Sequence, residues 1–304
     1  MHHWLRGALV MVVALQGGAV AAAEMPAAVP LAGPGITGTL LRHANMPSQH
    51  VQARNVDVWL PPGYGADPGR RYPVLYMHDG QNLFDPATSY GGVDWAVDEV
   101  MTRLIAEGKV RDAIVVGIWN SPKRREEYMP QRAVQNAEIR FNVPGTGGVK
   151  PSDIISDRYL AFLVEELKPY IDATYRTLPG RDDTFVMGSS MGGLVSQYAM
   201  SRYPEVFGGA GCVSTHWPAG DGIAVTDFGA HLPDPATHRY WFDYGTKTLD
   251  AKYEPYQLQA DELLRKAGYV EGRNWVTKKF EGAEHSEKAW RLRVDQPLEF
   301  LLGR

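Results

Sequence analysis

The chain has 304 residues, of which 44% are hydrophobic and 22% charged, with a formal net charge of −4. This composition excludes a disordered chain, and mild acidity without a basic run gives no electrostatic reason for a nucleic-acid partner. Cys212 is the only cysteine, so an intrachain disulfide is impossible; with no Cys pair and no HExxH run, no metal-ligand spacing is visible.

Arg6, an apolar run from Ala8 to Leu15, and small residues ending at Ala21, Ala22 and Ala23 read as a signal peptide over residues 1–23. The apolar run is too short to span a bilayer. The expectation is an exported chain, periplasmic or secreted, with no stable membrane insertion once processed. Residues 24–38, rich in Pro and Gly, read as a flexible leader, and the folded domain is expected over 39–304.

From there, short β-rich runs (56–60, 74–77, 114–119, 184–187, 210–214, 240–244 and 275–280) alternate with longer helical patterns. One helix is expected over 159–170, with Phe162, Leu163, Leu167 and Tyr170 apolar. Another is expected over 255–267, with Leu258, Leu263 and Leu264. Strand then helix, repeated, predicts an α/β fold: a mostly parallel central sheet with helices on both faces. Residues 120–152 break the rhythm with Pro122, Pro130, Pro144 and Pro151 and no sustained apolar period. They read as an irregular insertion that shapes a pocket.

In FVMGSSMGGL, Gly188, Ser190 and Gly192 fill the G-x-S-x-G pattern between a strand and a helix. Such a turn lifts a serine hydroxyl out of the sheet, and small residues at 188 and 192 let backbone pass close by. An acyl-transfer nucleophile needs N–H donors aimed at the developing oxyanion. Met191, directly after the serine, supplies one, and Gln81 in the loop after strand 74–77 is the candidate for the second. The base should follow the serine in the chain. His285, in a loop after the last strand, is favoured, with His216 as runner-up. For the acid that orients it, Asp250 is favoured, and Asp243 and Glu284 are the alternatives. Trp217, His216, Trp119 and Tyr128 stand on or near strand-end loops and are candidates for substrate contact.

With these residues in view, the chain resembles the putative-esterase family of α/β-hydrolases, which includes enterochelin-type esterases, feruloyl esterases and mycolyltransferases. The similar segments are VDVWLPPGY, YMHDGQNLF, EELKPYIDATYRT, VMGSSMGG, DYGTKTLD and EHSEKAW, which together span residues 56–290. Glu284 stands directly before His285, where many relatives carry glycine. Carried over residue by residue, the resemblance implies an α/β-hydrolase fold, a triad of Ser190, Asp250 and His285, and main-chain donors at Gln81 and Met191.

The function expected is serine-dependent hydrolysis of a carboxylic ester, small or polymer-linked, through an acyl-enzyme and without metal or organic cofactor. The alternatives are acyl transfer by the same residues, or a non-catalytic binding module on this fold.

Overall fold

The computed structural model describes residues 25–33, 35–135 and 148–304. The signal peptide expected over residues 1–23 and the insertion's stretch 136–147 lie outside them. Among the described residues nine strands form one sheet: β1 (Ala28–Leu31), β2 (Thr39–Met46), β3 (Arg54–Leu60), β4 (Val74–His78), β5 (Ile114–Ile118), β6 (Thr184–Ser189), β7 (Gly209–Val213), β8 (Arg239–Gly245) and β9 (Trp275–Phe280). Their spatial order is β1-β2-β3-β5-β4-β6-β7-β8-β9. β1, β2, β3 and β5 pair antiparallel in succession, and every pair from β5 to β9 is parallel. The carboxyl ends of β4, β6, β7, β8 and β9 therefore lie along one border of the sheet, where α/β folds build their sites.

Alternate residues of the central strands enter two different apolar layers, which is why these strands read as continuous hydrophobic runs. Val74, Tyr76, Val116, Val186, Ala210, Tyr240 and Phe242 join one layer. Leu75, Met77, Val115, Phe185, Met187 and Val213 join the other. The second layer is covered by the helices Val97–Ala106 and Asp295–Leu302. The first is covered by the continuous helix over 156–174 and by Met191–Arg202, Ile223–Ala230 and Glu254–Lys266. The helix at 156–174 widens to π geometry over Phe162–Leu167. In Glu254–Lys266 the buried residues are Gln257, Ala260, Asp261 and Leu264. Leu258, expected on the apolar face, is instead 57% exposed.

Two expectations are corrected. Residues 24–38 are not simply a leader, because Ala28–Leu31 forms β1 and pairs with residues 40–43 of β2. The N–H of Thr37 donates to Asp98 at 2.6 Å, and its carbonyl accepts from Trp59 Nε1 at 2.7 Å. Proline at position 30 suits the unpaired side of an outermost strand, so the Pro that suggested a linker is compatible with sheet.

The front of the 120–152 insertion is likewise part of the core. Arg124–Tyr128 and Gln131–Val134 are short helices, and Glu127, Tyr128, Met129 and Val134 are buried. Glu127 meets the equally buried Arg54 of β3 in a bidentate pair, at 2.7 and 2.9 Å. Removing one partner of a buried ion pair strands the other charge. Glu127→Ala is expected to cost about 3–5 kcal/mol of stability, read as a lowered urea midpoint; a midpoint shift worth under about 1 kcal/mol would mean the pair contributes little.

Candidate active site

β6 ends at Ser189, and the helix Met191–Arg202 starts one residue past Ser190. Ser190 sits between them at φ 58°, ψ −120°, a strained conformation for a residue with a Cβ and one that G-x-S-x-G turns impose. Its N–H donates to Val213 O at 2.9 Å, and its carbonyl accepts from His216 N at 3.1 Å, so the end of neighbouring β7 and the loop after it clasp the turn on both sides. A Cβ at Gly188 would lie 3.0 Å from the backbone of Gly192, which accounts for the first glycine. At Gly192 a Cβ would meet only ordinary contacts at 3.5 Å. It is Gly193 whose Cβ would press to 2.7 Å from Thr215 Oγ1. The pattern therefore needs glycine at 188 and 193, while Gly192 contributes close-packed backbone.

The loops after β8 and β9 bring Asp250 and His285 together. His285 Nδ1 and Asp250 Oδ1 are 2.6 Å apart, with the aspartate fully buried and the imidazole nearly so. Asp250 Oδ2 accepts from Ser214 Oγ at 2.6 Å and from Gly245 N at 2.6 Å. Burial alone would push this carboxyl up, but the hydrogen bond and charge of His285, with Ser214 and Gly245, outweigh it and hold the pKa below the ordinary value. His285 is fixed further by its N–H on Thr248 Oγ1 at 2.7 Å and by the Trp290 ring, edge-on at 4.9 Å between centroids.

Asp243 stands one step further back in the same network, joined to Asp250 through Ser214, whose Oγ donates to Asp250 and accepts from Arg293 Nη2 at 2.8 Å. It is buried inside β8 and accepts from Arg293 at 2.8 Å and Trp241 Nε1 at 2.8 Å. Glu284 is exposed, and neither residue is bonded to His285 among the described residues.

After β4, Asp79 turns left-handed (φ 57°, ψ 45°) and opens the short 3₁₀ turn Gly80–Asn82. A Cβ at Gly80 would fall 2.4 Å from Gly117 C, so this loop lies flush against β5, and only glycine allows it. Gln81 is the second residue of its turn and Met191 the first of its helix, positions whose N–H groups have no acceptor inside the helix. The Gln81 carbonyl accepts from Thr88 Oγ1 at 2.7 Å, and its side-chain oxygen accepts from Asn120 N at 3.2 Å.

A cavity of about 790 Å³ opens at this border, and Gln81, Asn120, Arg124, Ser190, His285 and Trp290 are among the residues that line it. The four pocket candidates fare differently. His216 is beside the site, with its Nδ1 2.5 Å from Tyr253 Oη and its ring 6.4 Å from that of His285. Burial, with the charges of His285 and Arg125, pushes it down to about 4, leaving it neutral near pH 7. Trp217 is buried and donates to Gln257 at 2.8 Å. Tyr128 is buried against His78 and Tyr159. Trp119 points to the antiparallel end of the sheet, where it donates to Asp57 at 2.7 Å under the Arg42 guanidinium. These three aromatics do not line the cavity.

Sequence reasoning missed Tyr253, Ser214, Asn120 and Arg124. Tyr253 follows Asp250 by three residues and reaches both His216 and, at 3.4 Å, His285 Nδ1. Asp94, Asp98 and Glu99 form the one carboxylate cluster among the described residues tight enough to suggest a cation. Arg291 already pairs with Asp94 there.

A model of the family described as "Putative esterase" matches residues 49–298. The uncharacterized protein YbbA of Bacillus subtilis is 24% identical over 260 residues, covering 83% of this chain and 93% of that protein. An endo-1,4-beta-xylanase/feruloyl esterase of Xylanibacter ruminicola is 28% identical over 254 residues, 82% of this chain but 29% of that longer protein. Among solved structures, a ferulic acid esterase superposes with TM-score 0.62 at 18% identity, over 86% of this chain and 97% of its own. The enterobactin esterase of Shigella flexneri gives 0.59 at 20%, over 88% and 60%. These likenesses agree with the observed sheet in giving an α/β-hydrolase fold. With the family match covering most of its length, the chain belongs to the putative esterase family, and its activity is carboxylic ester hydrolysis.

Proposed function

We propose that this chain is an exported serine esterase acting on esters of aromatic acids through an acyl-enzyme. The observation that carries the reading is the 2.6 Å contact of His285 with buried, ionised Asp250 on the cavity that Ser190 lines. Ser190 Oγ attacks the ester carbonyl as its proton passes to His285 Nε2, and Asp250 stabilises the resulting imidazolium. The N–H groups of Gln81 and Met191 hold the oxyanion. The alkoxide leaves with the proton from His285, and water, deprotonated by the same imidazole, releases the acid and regenerates Ser190. No step calls on a redox or carrier group.

An aromatic acyl group is supported by Trp290 and Tyr90 on the cavity wall. It is supported also by relatives named for ferulic acid and by one solved with 2,3-dihydroxy-N-benzoyl-glycine. The order of residues 1–23 supports export, and no helix among the described residues is long and apolar enough to cross a membrane.

A fluorophosphonate is expected to abolish hydrolysis of a panel of aryl esters and to mark one site, found by mass spectrometry on the peptide containing Ser190. Hydrolysis that survives complete exposure, or a label elsewhere, would overturn the proposal.

A further inference from the structure

Asp79 precedes the loop that offers the Gln81 N–H, and it holds a left-handed backbone conformation, which aspartate tolerates better than most residues with a Cβ. The hydrogen bonds to its carboxylate come from one segment, the stretch after β5. Arg124 grips its carboxylate with both prongs, Nε to Oδ1 at 2.7 Å and Nη2 to Oδ2 at 2.6 Å. Asn120 Nδ2 adds a third bond to Oδ1 at 2.6 Å, and Asn120 N binds the Gln81 side chain. The same Arg124 Nη2 reaches the carbonyl of Ser189 at 3.4 Å, on the residue before the nucleophile. One guanidinium thus touches both walls between which an oxyanion would sit: the loop carrying Gln81 and the turn carrying Met191.

Two further features fit a brace. Arg124 lies over the Tyr128 ring at 5.2 Å, and its segment is anchored beneath by the buried Arg54–Glu127 pair. Burial would push the Asp79 carboxyl up, but Arg124 and Asn120 hold it below the ordinary value. Both partners are therefore charged, and the pair is neutral as a unit. Such a pair contributes little net field at the reaction centre and a great deal of geometry, since a planar fork fixes distance and angle together.

We infer that Arg124 is a positioning residue for the oxyanion hole: through Asp79 and Ser189 it fixes the Gln81 N–H relative to the Met191 N–H. This rests on the proposed serine mechanism. Misplacing a donor affects the charged tetrahedral state and leaves binding of the neutral ester largely alone.

The test compares Arg124→Gln and Arg124→Lys with the native enzyme on one aryl ester, alongside binding of an aryl boronic acid, which forms a tetrahedral adduct on the serine. Loss of a whole oxyanion donor costs about 10²–10³ in kcat. Loosening one is expected to cost about 10–100-fold, with KM within about threefold and boronate affinity falling in parallel with kcat. Lysine should not rescue, because it cannot form the fork, whereas methylguanidinium added to Arg124→Ala should restore part of the lost kcat. Should Arg124→Gln fail to fold, Arg124→Lys carries the comparison. Native kcat in a folded variant, or a loss confined to KM, overturns the inference. If Ser190→Ala also kept activity, the serine mechanism itself would be at fault; a dead Ser190→Ala beside a fully active Arg124→Gln refutes the positioning role alone.

Discussion

Replacing Ser190 with alanine is expected to lower kcat for the best aryl ester by about 10⁶, the loss seen when a serine hydrolase forfeits its nucleophile. The change removes one oxygen from a half-buried side chain, and the turn is held by backbone bonds to Val213 and His216 that alanine keeps. Stability should therefore change little. Alanine keeps the Cβ that makes φ 58° unfavourable, so no gain from relieved strain is expected either. Thermal unfolding and kcat measured on the same preparation decide the matter. Native turnover by the folded variant would remove Ser190 from the chemistry.

The second large effect is expected from Asp250→Asn. The carboxylate loses its charge while its volume is kept, so the imidazolium is no longer stabilised and the imidazole can take the wrong tautomer. In a serine protease the corresponding change costs about 10⁴ in kcat. Esters with good leaving groups should show less, because they depend less on the acid. Asp243→Asn makes the useful contrast, since that carboxylate is committed to buried Arg293 rather than to His285. Its loss should be felt as stability, about 3–5 kcal/mol if the guanidinium is left unpaired, with kcat within about tenfold of native. Saturating-substrate kinetics and urea melts of both variants separate the two roles. A large kcat loss for Asp243→Asn beside a near-normal Asp250→Asn would reverse the assignment.

The parallel half of the sheet was legible because both faces of its strands are buried, so each appears as an apolar run ended by turn residues. Residues carried at those strand ends (Ser190, Asp250, His285 and Gln81) could be proposed from chain order and local pattern. The antiparallel border was harder to read. β2 buries Leu40, His43 and Met46, three residues apart, and has a register shift between His43 and Met46, so it shows no period of two, while β1 contains a proline.

Pocket walls were the least legible. Trp217 lies next to His216 in sequence, yet one packs under the loop and the other faces Tyr253. Adjacency along a loop does not say which side chain turns inward. Arg124 and Asp79 meet across 45 positions, and nothing local in either segment announces the pairing.

The sheet's two outer borders bear on how the chain behaves in a crowd. β9 presents exposed Lys278 and Lys279 on one side. On the other, β1 is four residues long and includes Pro30, which has no N–H to offer an incoming strand. Charged, short or proline-bearing borders are poor templates for strands from other molecules. β2, just inside, is eight residues long and carries Leu40 and Leu41, so it would make a far better template if bared. The four residues of β1 thus act as a selvedge, closing off the strand through which copies of this protein would otherwise knit together.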